Sequence, residues 1–166
     1  LVAPITEEGA STWPVYLPEG VWRDLWTGKL HYGPAEINVD APRDRVPVYQ
    51  KKGSLLALNL NGSGELGSYV GNKTEDFKNL TLRIFPGEKF ESPIFLSADT
   101  EPVWVTVECQ KTDGLLVVDL PILPQCVDLE IAGLEPLSVT RDGQPLPRLS
   151  AGSGTAAGWQ WDANRH

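Results

Sequence analysis

Trp13-Pro14-Val15-Tyr16-Leu17, then Pro18-Glu19-Gly20, then Val21-Trp22-Arg23-Asp24-Leu25-Trp26 and Thr27-Gly28 make two short runs, each closed by turn residues. In the second run Val21, Arg23 and Leu25 fall on one side of an extended chain. Trp22, Asp24 and Trp26 fall on the other, because successive side chains of a strand point to opposite faces. An amphipathic helix would place its apolar residues three and four apart instead. The stretch therefore predicts strands at Trp13–Leu17 and Val21–Trp26. Its neighbours repeat the pattern: Leu1 to Ile5 is apolar, Glu36–Val39 and Val46–Gln50 read as strands, and Pro42-Arg43-Asp44-Arg45 between them reads as a turn.

From Asn59 to Tyr69 the composition shifts to Asn, Gly and Ser, with Gly62, Gly64 and Gly67 close together. This marks a boundary or a long exposed loop. A phosphate cradle would need a strand feeding the glycines and a Gly-Lys-Ser/Thr after them, and neither is present. Strands resume at Leu80–Phe85, stopped by Pro86-Gly87, and continue at Pro93–Leu96, Trp104–Cys109, Leu115–Leu120, Val127–Ile131 and Leu137–Thr140. Asp113-Gly114 predicts a hairpin turn, and Arg141-Asp142-Gly143-Gln144 another. Ser150 to Gly158 is low in complexity and reads as a mobile tail, with Trp159 and Trp161 beyond it. The expected fold is all-β, in two small antiparallel units over residues 1–60 and 61–166, with little or no helix.

Composition agrees. Sixteen Gly and fourteen Pro in 166 residues disfavour long helices. A hydrophobic content of 41% supplies a core. The net charge of −8 argues against nucleic acid or an anionic membrane as partner, since no basic excess exists to neutralise phosphates. No apolar run approaches a membrane span, and the first residues lack the order of a signal peptide, so a soluble chain is expected, in the cytoplasm or secreted. Met is absent and the sequence begins inside an apolar run, which suggests a piece of something larger.

Chemistry is sparse. Paired carboxylates serve glycosidases and aspartic proteases, and Asp24 between Trp22 and Trp26 is the only local candidate. Its plain role is to cap a turn or pair with Arg23 or Arg45. Asp44 and Arg45 are expected to fix their own turn. His31 and His166 are the only histidines; no Gly-x-Ser-x-Gly elbow offers His31 a nucleophile, and a surface position is expected for it. Two Cys and two His show no zinc spacing, and no cofactor motif occurs. Cys109 and Cys126 form one disulfide or remain two buried thiols. Asn61, Asn72 and Asn79 open N-glycosylation sequons, used in a secreted eukaryotic protein and bare in a bacterial one. Among six Trp, Trp159 and Trp161 are the candidates for stacking on a sugar.

Several blocks together resemble a known family. Leu1-Val2-Ala3-Pro4-Ile5, Val15-Tyr16-Leu17-Pro18-Glu19-Gly20-Val21-Trp22 and Asp24-Leu25-Trp26-Thr27-Gly28 resemble the sequence that follows the catalytic barrel in glycoside hydrolase family 31, the α-glucosidases and α-xylosidases. Ala41-Pro42-Arg43-Asp44-Arg45-Val46-Pro47-Val48 with Lys52-Gly53-Ser54 resembles that family's next block. Leu80-Thr81-Leu82-Arg83-Ile84-Phe85-Pro86-Gly87 looks like the strand opening its distal sandwich. The acidic Tyr-Glu-Asp-Asp-Gly stretch that often follows there is absent.

The resemblance implies a proximal and a distal β-sandwich domain packed on a (β/α)8 barrel, which needs roughly 250 residues and is not in this chain. The family's catalytic aspartates lie on that barrel, in motifs that contain Met, so no catalytic residue carries over. Two functions are then open. As a structural module, the chain would show exposed apolar surface in its first part, drawn from Trp13, Tyr16, Trp22 and Trp26, where the barrel packs. As a carbohydrate-binding module, it would present exposed aromatics beside polar groups on one face.

Overall fold

The computed structural model describes residues 1–60, 80–94, 101–110, 114–123, 127–133, 135–150 and 157–162, without the side chains of 109 and 110. Every helix-or-strand element among them is a strand: β1 Thr12–Asp24, β2 Leu30–Asp40, β3 Tyr49–Lys51, β4 Ser54–Asn59, β5 Leu80–Phe85, β6 Lys89–Ile94, β7 Val103–Gln110, β8 Leu115–Asp119, β9 Val127–Ile131, β10 Thr140–Arg141 and β11 Gln144–Pro145. The all-β reading is borne out. By contact density the chain forms two compact units, Leu1–Ala132 and Gly133–His166. The boundary expected near residue 60 borders residues 61–79, outside the described set.

The two runs of the opening stretch are one strand. Pro18 and Glu19 do not end β1; they form a bulge, with Leu17 opposite Ala35 and Gly20 opposite Gly33, so two residues of β1 face the single Pro34 of β2. One extra residue shifts the inward parity. Val15 and Leu17 point inward before the bulge and Trp22 after it, all buried. The indole Nε1–H of Trp22 donates to the bulged carbonyl of Pro18 at 2.8 Å, fixing the irregularity. β2 begins earlier than expected, at Leu30, and carries Pro34 because it is the edge strand in the order β2-β1-β3, where a missing N–H breaks no outer ladder. Val46–Gln50 is corrected too: Val48 makes a lone bridge to Val2, and β3 starts only at Tyr49. The Pro42–Arg45 turn forms, closed by Arg45 N–H to Pro42 O at 3.2 Å.

The inward face of this sheet gathers Val15, Leu17, Trp22 and Tyr49, with Ala3, Trp13, Ile37 and Val39 packed against them. His31 is also on this side, opposite Trp22, half-buried and edge-on to Tyr49 at 5.6 Å. A surface histidine was expected; period 2 instead turns it inward between Leu30 and Tyr32. Burial, then Lys29, lowers its pKa against the opposing pull of Asp24.

The phenol of Tyr49 is buried with no hydrogen-bond partner among the described residues. Burial first, and then the charge of Asp24, pushes its pKa up to about 12 from an ordinary 10.0. Tyr49→Phe is therefore expected to leave stability at pH 7 equal or up to about 1 kcal/mol higher, since an unsatisfied buried hydroxyl contributes nothing. The phenol's folded pKa is raised, so its ionisation erodes the native state as pH climbs through the ordinary value toward 12. Urea melts of both proteins between neutral and strongly alkaline pH should show a shallower decline for the Phe variant. A parallel decline would contradict the assignment.

Past β3 the chain crosses directly to a second pair of sheets. Lys52 N–H bonds Val21 O in the first sheet, and the next N–H, of Gly53, bonds Phe85 O on β5, each at 2.8 Å. The Gln50 side-chain amide reaches across to Ser54 O and Arg83 O. β4-β5-β9 and β6-β7-β8 enclose a core of Leu80, Leu82 and Ile84 from β5, Ile94 from β6, and Val105 and Val107 from β7. The antiparallel expectation fails at one place. β9 runs parallel to β5, because the β6–β8 meander between them lets the chain return in the same direction. Arg83 and Glu130 sit directly opposite across that pair and form an ion pair at 2.7 Å.

In the second unit, β10 and β11 form the expected hairpin. Asp142 and Gly143 both have positive φ (50° and 76°), as a type I′ turn requires. The strand expected from Leu137 shrinks to Thr140–Arg141, and the Leu137 side chain is fully exposed, with no sheet face to bury it. The glycines of the Asn59–Tyr69 stretch and the tail residues 151–156 lie outside the described residues, as does Cys126; the side chain of Cys109 is likewise not described.

Candidate interaction surface

Asp24 spends its carboxylate on the backbone. Oδ1 accepts the N–H groups of Trp26 and Thr27, each at 2.8 Å, while its carbonyl accepts Gly28 N–H at 3.0 Å. This is the turn-capping role, with Asp holding its own chain two and three residues on. Trp26 is then tied down from both sides. Its Nε1–H donates to Val46 O at 2.7 Å, and the Arg45 guanidinium lies over its ring, 5.6 Å from the centroid. Arg45 thus steadies the turn, through Trp26, while the neighbouring Asp44 is exposed. Among the described residues no group of three His, Cys, Asp or Glu is placed to hold a metal ion.

A cleft of about 510 Å³ runs between the N-terminal segment and this turn, lined by Pro4, Ile5, Ala10, Pro42, Arg43 and Arg45 among others. Glu7 also lines it, beside the two guanidinium groups.

The outer face of β1–β2 displays apolar side chains to solvent. Directly opposed residues of an antiparallel pair share a face. On this side lie Pro14, Tyr16, Pro18 and the half-buried Val21 and Arg23 of β1, and Leu30, Tyr32 and Pro34 of β2. Tyr16 is 61% exposed and Tyr32 69%. The partner of Tyr16, Glu36, lies four residues along β2 from Tyr32, about 14 Å along the sheet at about 3.4 Å per residue. The two prolines fill the interval, and Glu36, Asn38 and Asp40 form a polar end. Of the four aromatics from which exposed surface was expected to be drawn, Tyr16 and Trp26 are exposed, whereas Trp13 and Trp22 face inward. Tyr32 and Pro34 join the face unexpectedly, because the Gly and Pro of His31-Tyr32-Gly33-Pro34 mask a strand that runs through them.

The proposed sugar-stacking residues are held within the second unit. Trp159 forms a bridge with Arg148, whose guanidinium lies 5.1 Å from its ring centroid and also contacts Glu135. Trp159 and Trp161 are both half-buried. Asn61, Asn72, Asn79 and His166 lie outside the described residues.

Residues 1–56 match the glycosyl hydrolase family 31 C-terminal domain. The isomaltosyltransferase of Sporosarcina globispora is 29% identical over 98% of this chain, which spans 15% of that protein. The α-xylosidase of Saccharolobus solfataricus is 32% identical over 53% of this chain and 11% of its own length. In three dimensions the chain is similar to the cycloalternan-forming enzyme of Listeria monocytogenes, solved with a pentasaccharide substrate. The TM-score is 0.86 at 31% identity, covering 99% of this chain and 16% of that one. The chain therefore corresponds to about a sixth or less of each of these proteins.

Proposed function

We propose that this chain, whose residues 1–56 match the glycosyl hydrolase family 31 C-terminal domain, serves a family 31 enzyme as a non-catalytic support, packed against the (β/α)8 barrel of an α-glycosidase. The strip of Pro14, Tyr16, Pro18, Leu30, Tyr32 and Pro34 carries this reading. An outward sheet face with two tyrosines more than 60% exposed and prolines between them is costly to leave in water and cheap to order, since its side chains have few rotatable bonds. It suits a permanent protein neighbour, with Tyr16 and Tyr32 as its anchors.

Hydrolysis belongs to the barrel. A retaining mechanism needs two carboxyl groups about 5 Å apart across the scissile bond, and Asp24, the one local candidate, is engaged by backbone amides. The isolated chain accordingly turns over no α-glucoside.

The test pairs one double variant in two settings. Tyr16→Ser with Tyr32→Ser is expected to leave the melting of the isolated chain unchanged, because both side chains are exposed. The same change in the full-length enzyme should cost about 2 kcal/mol of interdomain stability, read as faster thermal inactivation with an α-glucoside as reporter. Equal inactivation rates for variant and parent would remove the strip from the docking surface.

A further inference from the structure

The outer face of β6-β7-β8 has a different character from the apolar strip. Trp104 on β7 is 56% exposed, directly opposite Pro93 on β6. The next outward row, two residues along, reads Glu91, Thr106 and Asp119 across the three strands. The row after that holds Lys89, Glu108 and Val117, with Lys89 and Glu108 paired at 3.5 Å. Among the described residues that is the only ion pair on this face. Two carboxylates and a hydroxyl thus stand about 7 Å along the strands from an open indole.

We propose that this face is a binding platform for a neutral pyranose chain, distinct from the tyrosine strip. A pyranose presents an apolar C–H face and a rim of hydroxyl donors. The indole offers a flat, electron-rich surface for the first, and Glu91 and Asp119 offer acceptors for the second at the distance a stacked sugar spans. Charge-assisted hydrogen bonds from hydroxyls to carboxylates are the strong kind. An anionic ligand is repelled by the same carboxylates. A quaternary or guanidinium cation would be favoured by an enclosing aromatic cage, whereas Trp104 stands as a single ring on a flat sheet. The role is to hold substrate near the enzyme that bears the chain.

The experiment is a titration of the whole isolated chain with isomaltotriose and with maltotriose, followed by amide and indole N–H shifts in NMR. Saturable shifts at millimolar sugar, centred on the Trp104 indole and the amides of Glu91, Thr106 and Asp119, are expected. Trp104→Ala should weaken binding at least about tenfold, and Glu91→Gln with Asp119→Asn about threefold, with circular dichroism unchanged in both. No saturable shift, shifts centred on Trp159, or binding that survives Trp104→Ala would each overturn the proposal. A response to an arginine peptide with none to either sugar would overturn it in favour of a cationic partner. Because the strip variants Tyr16→Ser and Tyr32→Ser leave this face intact, failure here and failure of the docking reading are separate results.

Discussion

Gly33→Ala is expected to cost the chain its first sheet. A Cβ at this position would stand 1.9 Å from the carbonyl oxygen of Pro18 and 2.7 Å from that of Leu17, both backbone atoms. Neither can step aside cheaply. Pro18 O is the acceptor of the Trp22 indole, and displacing it would unseat a side chain only 7% exposed in the centre of the core. Small-to-large changes that meet backbone cost at least about 3 kcal/mol when relaxation is blocked this way. The check is the urea midpoint, with Gly133→Ala as control, since a Cβ there meets nothing within 4 Å. A Gly33→Ala protein as stable as the control would mean that the bulge is looser than described.

Leu82→Ala should be nearly as damaging in the other core. Leu82 is wholly buried on β5, the central strand of its sheet, and packs with Ile84, Ile94, Val105 and Val107. Truncation removes its transfer free energy and leaves a cavity between two sheets that cannot collapse around it, about 3 kcal/mol together. Denaturant unfolding of the whole chain reads the loss directly. A change under about 1 kcal/mol would fit a loosely packed site, contrary to the complete burial of its neighbours.

β5 and β9 were legible to the residue, the first as a largely apolar run with a sharp end at Pro86-Gly87 and the second because Val127, Leu129 and Ile131 alternate with Asp128 and Glu130. The 141–144 turn was legible because Asp-Gly fits two positive φ values. The continuity of β1 was not, for a bulge breaks the alternation on which strand recognition rests, and Pro18-Glu19-Gly20 looks like a stop. The parallel pairing of β5 with β9 was not either, since a strand's own sequence does not name its partner. Half of the apolar strip could be read, through Tyr16. Tyr32 and Pro34 were hidden in His31-Tyr32-Gly33-Pro34, which has the composition of a turn and is held in a strand only by its partner. Trp104 was assigned to a strand, and the alternation of Val105 and Val107 with Thr106 and Glu108 would have given its outward direction.

The crossing at Lys52 and Gly53 has a mechanical meaning. Two consecutive amides grip two different sheets, so the shortest possible tether joins them and has no slack. A hinge needs a few residues whose torsions are free to change; here the side chain of Gln50 and the main chain of its successors are already committed on both sides. The two cores are therefore expected to unfold together on warming, as one calorimetric transition, because neither can open without breaking the bonds of Gln50, Lys52 and Gly53.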